Sequence, residues 1–90
     1  MVEPTFLDEA PSSDQVTEYD ERHLVSYLQL LDADNEGADW QEAVKIIFGL
    51  DPKSANAAQV HASHLARARW MARDGYRQLA QRGHEFPRTG

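Results

Sequence analysis

Hydrophobic residues recur at helical spacing in three stretches of this 90-residue chain. In the first, at about residues 20–31, apolar side chains fall at positions i, i+3, i+4 and i+7, namely Leu24, Tyr27, Leu28 and Leu31. This spacing places them on one stripe of a helix, so we predict that all four face a core. Residues 32–37 then interrupt the pattern with turn-forming residues.

The second stretch predicts a helix over residues 39–48. Asp39 and Glu42 have the spacing of a capping box, in which one carboxylate accepts early backbone N–H groups and the other reaches back. Gly49 suits a left-handed helix end, and Pro52 prevents continuation. The predicted buried face consists of Trp40, Ala43, Val44 and Ile47.

The third stretch runs from Ser54 to about Arg82 and is the longest. Gly75 lies inside it, and an interior glycine costs about 1 kcal/mol relative to alanine. One long helix and two helices that meet near Gly75 both fit the pattern, and we favour a break or bend there. The residues predicted to face the core include Val60, His64, Leu65, Ala68, Met71, Tyr76 and Leu79.

No stretch alternates as a strand, so the pattern predicts an all-α domain. We expect a compact bundle of three to five helices that contains a helix-turn-helix-like unit. Residues 1–18 are predicted to be a disordered acidic tail, residues 19–83 the helical domain, and residues 84–90 a flexible tail. With no cysteine, no long apolar run and no signal-like amino terminus, we expect a disulfide-free, cytoplasmic protein without membrane contact.

Charge is distributed unevenly along the chain, whose net charge is −6. Residues 1–42 carry twelve acidic residues and one base, Arg22, whereas residues 43–90 carry eight bases and three acidic residues. A dipolar sequence of this kind indicates either a charged partner or an acidic helix that packs on a basic one within the domain. The sequence alone favours neither interpretation.

The residues that could carry chemistry do not form a recognisable catalytic set. No serine lies in a Gly-x-Ser-x-Gly turn, and no glycine-rich loop could cradle a phosphate. His61 and His64 are three residues apart, with His23 elsewhere, which makes a metal site conceivable. His64 lies on the apolar stripe, so a hydrogen-bonded core histidine is the better interpretation. We therefore expect a non-enzyme that has no cofactor, metal or small-molecule substrate.

Two basic or polar surfaces are candidates for binding a macromolecule. Arg69, Arg73 and Arg77 repeat every four residues opposite the apolar stripe, with Trp70 beside them. In a helix-turn-helix the start of the following helix contacts DNA, and here Asn56 and Gln59 could contact bases while Lys53 contacts phosphate. All three lie in the segment Lys53-Ser54-Ala55-Asn56-Ala57-Ala58-Gln59.

Several groups of residues resemble one family. They are His23, Tyr27 and Leu31-Asp32-Ala33, then Gly37-Ala38-Asp39-Trp40, and finally His64-Leu65-Ala66-Arg67-Ala68-Arg69-Trp70-Met71 with Gly75-Tyr76-Arg77. The family is a proteobacterial domain of formerly unknown function, a helix-turn-helix variant of conjugative-element regulators that includes QseM-like antiactivators. The similarity covers about residues 20–82.

The resemblance implies an antiactivator that binds and inhibits transcriptional activators of the TraR quorum-sensing type and the FseA excision type, and so represses transfer of an integrative conjugative element. The alternative is a DNA-binding helix-turn-helix regulator. The segment from Lys53 to Gln59 carries one positive charge, so we expect a protein partner and weak or absent DNA binding. Candidate partner-binding residues are Asp32, Asp34, Glu36, Lys53, Asn56, Gln59, Arg69, Trp70, Arg73 and Arg77.

Overall fold

The computed structural model describes residues 6–82, with the backbone alone for Arg82. Its helices are α1 (Glu18–Arg22), α2 (Leu24–Asn35), α3 (Trp40–Ala43), α4 (Ala57–Trp70) and α5 (Tyr76–Arg82). Two π turns, Val44–Phe48 and Met71–Gly75, continue α3 and α4. Residues 6–82 contain no strand, and the predicted all-α class is confirmed. None of their helices has the length and apolar character needed to cross a bilayer.

The first predicted helix is two helices joined at His23. α1 begins at a capping box that the sequence analysis did not identify. Thr17 Oγ1 accepts a hydrogen bond from the Asp20 N–H at 3.1 Å, and Asp20 Oδ2 accepts one from the Thr17 N–H at 2.9 Å. These reciprocal bonds satisfy backbone donors that a helix start otherwise leaves free.

The α3 helix begins where the sequence predicted but with half of the predicted cap. Asp39 Oδ1 accepts a hydrogen bond from the Gln41 N–H at 2.9 Å. The Glu42 carboxylate points along the helix, 4.0 Å from Lys45 Nζ. Gly49 adopts φ +67°, so the left-handed end predicted for this helix is present.

The core forms where α2 packs on α4, with α3 and its π turn against α2. Its buried hydrophobic residues are Val16, Tyr27, Leu30, Ala43, Val44, Phe48, Ala57, Val60, Ala68 and Met71. Around them lie half-buried hydrophobic side chains, among them Leu24, Leu31, Trp40, Ile47, Leu65 and Tyr76. Most residues of the apolar stripes therefore lie in or against the core.

Leu28 is the exception, and its predicted burial is wrong. Its side chain is 51% exposed, whereas Leu30, which the stripe omitted, is buried. The face of α2 that meets α4 centres on Tyr27 and Leu30, because α2 is rotated about its axis relative to the predicted stripe. Tyr27 belongs both to the predicted stripe and to the face that is buried. Leu28 and Leu30 are both compatible with helical spacing from the neighbouring apolar residues, so that spacing alone could not choose between them.

Residues 6–17 pack against the helices, although the sequence analysis assigned residues 1–18 to a disordered tail. The Phe6 ring lies 4.6 Å from the rings of both His23 and Phe48. Val16 is 5% exposed, and its N–H donates to Gln78 Oε1 at 2.9 Å. Residues 1–5 and 83–90, and with them the predicted tail at 84–90, lie outside the described residues, so the domain boundaries stay a prediction.

The last helical stretch continues from Ala57 to Arg82 without a gap, starting three residues later than predicted. Instead of a break, the hydrogen bonding widens to a π turn that ends at Gly75. A Cβ atom on Gly75 would collide with the Met71 sulfur and lie 3.0 Å from Trp70 Cζ3. The glycine thus permits close packing of this turn rather than ending the helix.

We expect Gly75→Ala to lower the free energy of unfolding by about 1–2 kcal/mol, because overpacking outweighs the gain in helix propensity. Urea denaturation monitored by circular dichroism measures this change. The cost should shrink in a Met71→Ala background, where the colliding sulfur is gone. A Gly75→Ala variant more stable than the parent chain would contradict the steric explanation.

Candidate nucleic-acid interface

A buried ion pair between α1 and α4 holds the scaffold of the candidate site. Arg67 Nε donates to Asp20 Oδ1 at 3.0 Å, and Arg67 Nη2 donates to Asp20 Oδ2 at 2.7 Å. The Tyr27 hydroxyl also donates to Asp20 Oδ1, at 2.7 Å. Burial by itself would raise the pKa of the Asp20 carboxyl, but the bonds from Arg67, the Thr17 N–H and Tyr27 hold it below its usual value.

Arg67 also fastens the amino-terminal segment to α4. Its Nη1 donates to the Ser13 carbonyl at 2.6 Å and its Nη2 to the Gln15 carbonyl at 2.9 Å. The guanidinium lies 3.9 Å above the ring of Trp70. One side chain therefore joins α1, α4 and the segment before α1.

Arg67 is not among the binding or core residues predicted from the sequence, although the sequence contains a signal for it. Arg67 follows His64 by three residues and precedes Met71 by four, so it falls on the predicted apolar stripe. An arginine on a buried face needs an acidic partner, because an unpaired buried charge is too costly. The sequence does not say which of its many acidic residues that partner is.

His64 belongs to a chain of hydrogen bonds that runs from the surface into the core. The Leu7 N–H donates to the Tyr19 hydroxyl oxygen at 3.0 Å. The Tyr19 hydroxyl lies 2.6 Å from His64 Nε2, and His64 Nδ1 lies 2.7 Å from the Val60 carbonyl. Since a carbonyl can only accept, Nδ1 carries the proton and Nε2 accepts from Tyr19. Both ring nitrogens are thus engaged by the protein.

The histidines are not brought together as metal ligands. His61 packs its ring 5.9 Å from that of Trp40, and His23 stacks 4.3 Å from that of Tyr19. Within the described part of the chain, no group of three or more histidine or acidic side chains is placed to hold a metal ion.

Acid is expected to weaken the fold through His64. Burial lowers the pKa of His64 below its ordinary 6.5, so the unfolded chain takes up a proton at a higher pH than the folded protein. The stabilisation from neutral His64 is therefore complete above pH 6.5 and is lost as pH falls through the lower folded value. Urea denaturation between about pH 7.5 and 5 should show stability falling.

An NMR titration of the His64 ring protons isolates this group, since burial also lowers the pKa of His61. We expect the His64 midpoint below 6.5, with a flatter pH profile of stability in His64→Gln. A midpoint above 6.5 would show that the ring is not held neutral by its buried surroundings.

Three of the candidate binding residues, Gln59, Arg69 and Arg73, lie on one exposed face of α4 and the π turn that follows it. We call the exposed residues Gln59, Ala62, Ala66, Arg69 and Arg73 the α4 outer face. The sequence from Lys53 to Arg73 contains no acidic residue, whereas α2 contains Asp32 and Asp34 and no base. The α4 outer face is therefore a long, exposed helical surface that carries no carboxylate of its own.

The predicted arginine ridge is exposed, and its members differ. Arg69 Nη2 lies 2.8 Å from Asp34 Oδ2 on α2, with both side chains partly exposed. Arg73 and Arg77 form no ion pair with any residue in the range 6–82. Asp34 of the acidic α2 helix thus neutralises one arginine of the ridge, and the other two form no ion pair within residues 6–82. Packing within the domain therefore neutralises only part of the charge imbalance between the two parts of the sequence.

The three polar residues proposed to contact DNA are placed differently from one another. Residues 49–56 connect α3 and α4, a longer connection than the three or four residues of an ordinary helix-turn-helix. Lys53, within this connection, and Gln59, in the first turn of α4, are both exposed. Asn56 is half-buried, and its Nδ2 donates to Asp8 Oδ1 at 2.9 Å. The side chain of Asn56 is therefore engaged by the amino-terminal segment.

The remaining candidates are not part of the α4 outer face, although Asp34 contacts it through Arg69. Asp32, Asp34 and Glu36 are exposed on and just after α2. Trp70 is half-buried under the Arg67 guanidinium, where it supports the scaffold rather than forming an exposed anchor.

An all-α domain with an exposed basic helix and a buried polar scaffold has the form of a small regulator domain. A family model described as the DNA-binding domain of a type VI secretion (T6SS) transcription factor, RovC_DNA-bd, matches residues 5–81. The chain belongs to this family. No curated protein matches the sequence.

The family match corrects the preferred interpretation of the sequence. We had expected a protein-binding antiactivator of TraR-type and FseA-type activators, with weak or absent DNA binding. A family of DNA-binding domains overturns that expectation and favours the alternative, a DNA-binding regulator. The expectation of a protein partner rested on the net charge and on the single positive charge of the segment Lys53–Gln59, whereas exposed arginines lie farther along the same helical stretch, at Arg69, Arg73 and Arg77. A family of transcription-factor domains also agrees with a non-enzyme.

Proposed function

We propose that this chain binds double-stranded DNA through the α4 outer face and regulates transcription. The observation that carries the proposal is the exposed, carboxylate-free surface of α4, with Lys53 before its amino-terminal end and Arg73 and Arg77 beyond its carboxyl-terminal end. The family to which the chain belongs, described as a DNA-binding domain, supports the same function.

Electrostatics favours α4 as the DNA-binding helix over α1, α2 and α3, each of which carries acidic residues. Affinity for DNA comes largely from neutralised phosphates, each of which requires a free cation. Arg73 and Arg77 are such cations, since neither is paired within residues 6–82. Arg69 can join them, because an exposed ion pair such as the one with Asp34 stabilises by only about 0–1 kcal/mol and a phosphate can replace it.

The dimensions of α4 suit the major groove. Its 14 residues span about 21 Å, and the major groove is about 12 Å wide. A helix lying across the groove would bring its two ends toward the phosphates of opposite strands. Lys53 precedes one of these ends in the sequence, and Arg73 follows the other.

The middle of the helix permits close approach and one base contact. Ala62 and Ala66 are small, so the helix backbone can come near the base edges without displacing larger side chains. Gln59 is exposed and can bond the N6 and N7 positions of adenine through its amide. Asn56 can bond a base in this way only after its hydrogen bond to Asp8 is broken.

A titration of fluorescein-labelled duplex DNA across salt tests the proposal. We expect anisotropy to report binding at about 50 mM NaCl that weakens steeply toward about 200 mM, because counterions are released. Three or four cations give a slope of log K against log salt of about −3. No salt-dependent binding at protein concentrations up to about 100 µM would overturn the function.

A Gln59→Ala variant separates sequence reading from phosphate binding. We expect it to retain the salt slope and to lose preference between adenine-containing and other sites by about 1–3 kcal/mol. The parent chain on random and selected duplexes provides the matched reference.

A further inference from the structure

A groove on the side of α2 remote from α4 is not used by the proposed DNA contact. It lies between α2 and α3 with its π turn and has a volume of about 290 Å³. Its lining residues are Gln29, Asp32, Ala33, Glu36, Ala38, Glu42, Ala43, Ile46 and Ile47. We call this feature the α2–α3 groove.

The α2–α3 groove exposes large apolar side chains. Ile46 is 78% exposed, and on the neighbouring surface of α2 Val25 is 67% and Leu28 51% exposed. On α2, the groove residues Gln29, Asp32 and Glu36 fall on the side opposite Tyr27 and Asp34, whose side chains bond to Asp20 of α1 and Arg69 of α4. Since hydrophobic side chains clustered at a groove are typical of binding sites, this exposure indicates a partner rather than chance.

Acidic residues surround the apolar floor. Asp32, Glu36 and Glu42 all line the groove and are exposed. Lys45 lies 4.0 Å from Glu42, a distance at which exposed charges interact weakly. Such a surface repels DNA and attracts a positively charged polypeptide.

We propose that the α2–α3 groove binds a basic amphipathic helix of a protein partner. The apolar face of that helix would pack on Ile46 and Ile47, and its lysine or arginine side chains would pair with Asp32, Glu36 and Glu42. This is the helix-in-groove mode of recognition, in which apolar anchors provide affinity and flanking charges provide specificity. The site lies apart from the α4 outer face, so both surfaces can be occupied together.

The test uses a fluorescein-labelled leucine–lysine amphipathic peptide about four helical turns long, with a leucine–glutamate peptide of the same pattern as control. We expect saturable binding of the lysine peptide with Kd near 10–100 µM, and no binding of the glutamate peptide. In ¹⁵N-labelled protein the largest amide shifts should fall on residues of the α2–α3 groove.

Matched variants separate groove binding from general attraction to an acidic protein. Ile46→Ser and Glu36→Lys should each weaken the lysine peptide at least fivefold. Leu7→Ser and Glu18→Lys, which remove an exposed leucine and an exposed acid elsewhere, should change Kd less than twofold. DNA affinity should persist in Ile46→Ser, so failure of this proposal is distinguishable from failure of DNA binding.

Three outcomes would overturn the proposal. One is equal weakening by Glu18→Lys and Glu36→Lys, which shows diffuse electrostatic binding. Another is an absence of saturable binding up to about 1 mM peptide. The third is a concentration-dependent shift of groove amides without peptide, abolished by Ile46→Ser, which assigns the groove to a second copy of the chain.

Discussion

Replacement of Arg67 by alanine is expected to lower the free energy of unfolding by about 3–5 kcal/mol, the largest effect of any single substitution considered for this protein. The substitution leaves the Asp20 carboxylate, which is 0% exposed, without its charged partner. It also removes the bonds to the Ser13 and Gln15 carbonyls and the contact with Trp70. Small domains are stable by only about 5–15 kcal/mol, so the loss is a large fraction of the total stability.

Arg69→Ala is the matched control, because Arg69 forms an ion pair of similar length, 2.8 Å, at the surface of the same helix. Its side chain is 56% exposed, and we expect a cost of about 0–1 kcal/mol. Urea denaturation of the two variants compares a buried and an exposed pair directly. Equal costs for the two would contradict the importance of burial at Asp20.

Arg67→Lys refines the same test. Lysine keeps the positive charge but cannot present the two-pronged fork that bonds both Asp20 oxygens and two carbonyls at once. We expect its stability to lie between those of Arg67→Ala and the parent chain. Amide hydrogen exchange should also show faster exchange at Val16 in both variants, because Arg67 holds the segment that precedes it.

The second large effect is expected on DNA affinity. Replacement of both Arg73 and Arg77 by glutamine should weaken duplex binding about tenfold and reduce the salt slope by about 2, one for each lost phosphate contact. Neither side chain is buried or paired within residues 6–82, so folding should be preserved. Anisotropy titrations at several salt concentrations measure both quantities, and circular dichroism checks the fold.

Arg22→Gln provides the control for net charge. Arg22 is exposed on α1, paired with Glu18 at 2.8 Å, and remote in sequence from α4. We expect its removal to change DNA affinity less than twofold. If Arg22→Gln and the double substitution of Arg73 and Arg77 weaken binding equally per charge, the contact with DNA is not localised on the surface that carries Arg73 and Arg77.

The two proposed binding surfaces would divide the roles of the domain according to its charge distribution. The basic α4 outer face suits nucleic acid, and the acidic α2–α3 groove suits a basic polypeptide. The pair between Arg69 and Asp34 lies at the junction of the two helices. A regulator with separate DNA and protein surfaces can recruit a partner to a DNA site without competition between them.

The amino-acid sequence by itself determined the helical class, the left-handed end at Gly49 and much of the core. These features depend on neighbours three or four residues away, and such spacing is visible in the chain. The exposure of the arginine ridge could also be predicted from the sequence, because residues four positions apart lie on the same face of a helix. Family membership likewise came from the sequence, and it corrected the expected partner from protein to DNA.

Only the tertiary structure decided which acid pairs with Arg67 and that residues 6–17 pack on the helices. The same holds for the rotation of α2 that buries Leu30 and exposes Leu28. Each of these depends on groups far apart in sequence, such as Asp20 and Arg67, that meet when the helices pack. Local periodicity carries no information about such pairs, because the relative position of two helices is set by the whole core between them.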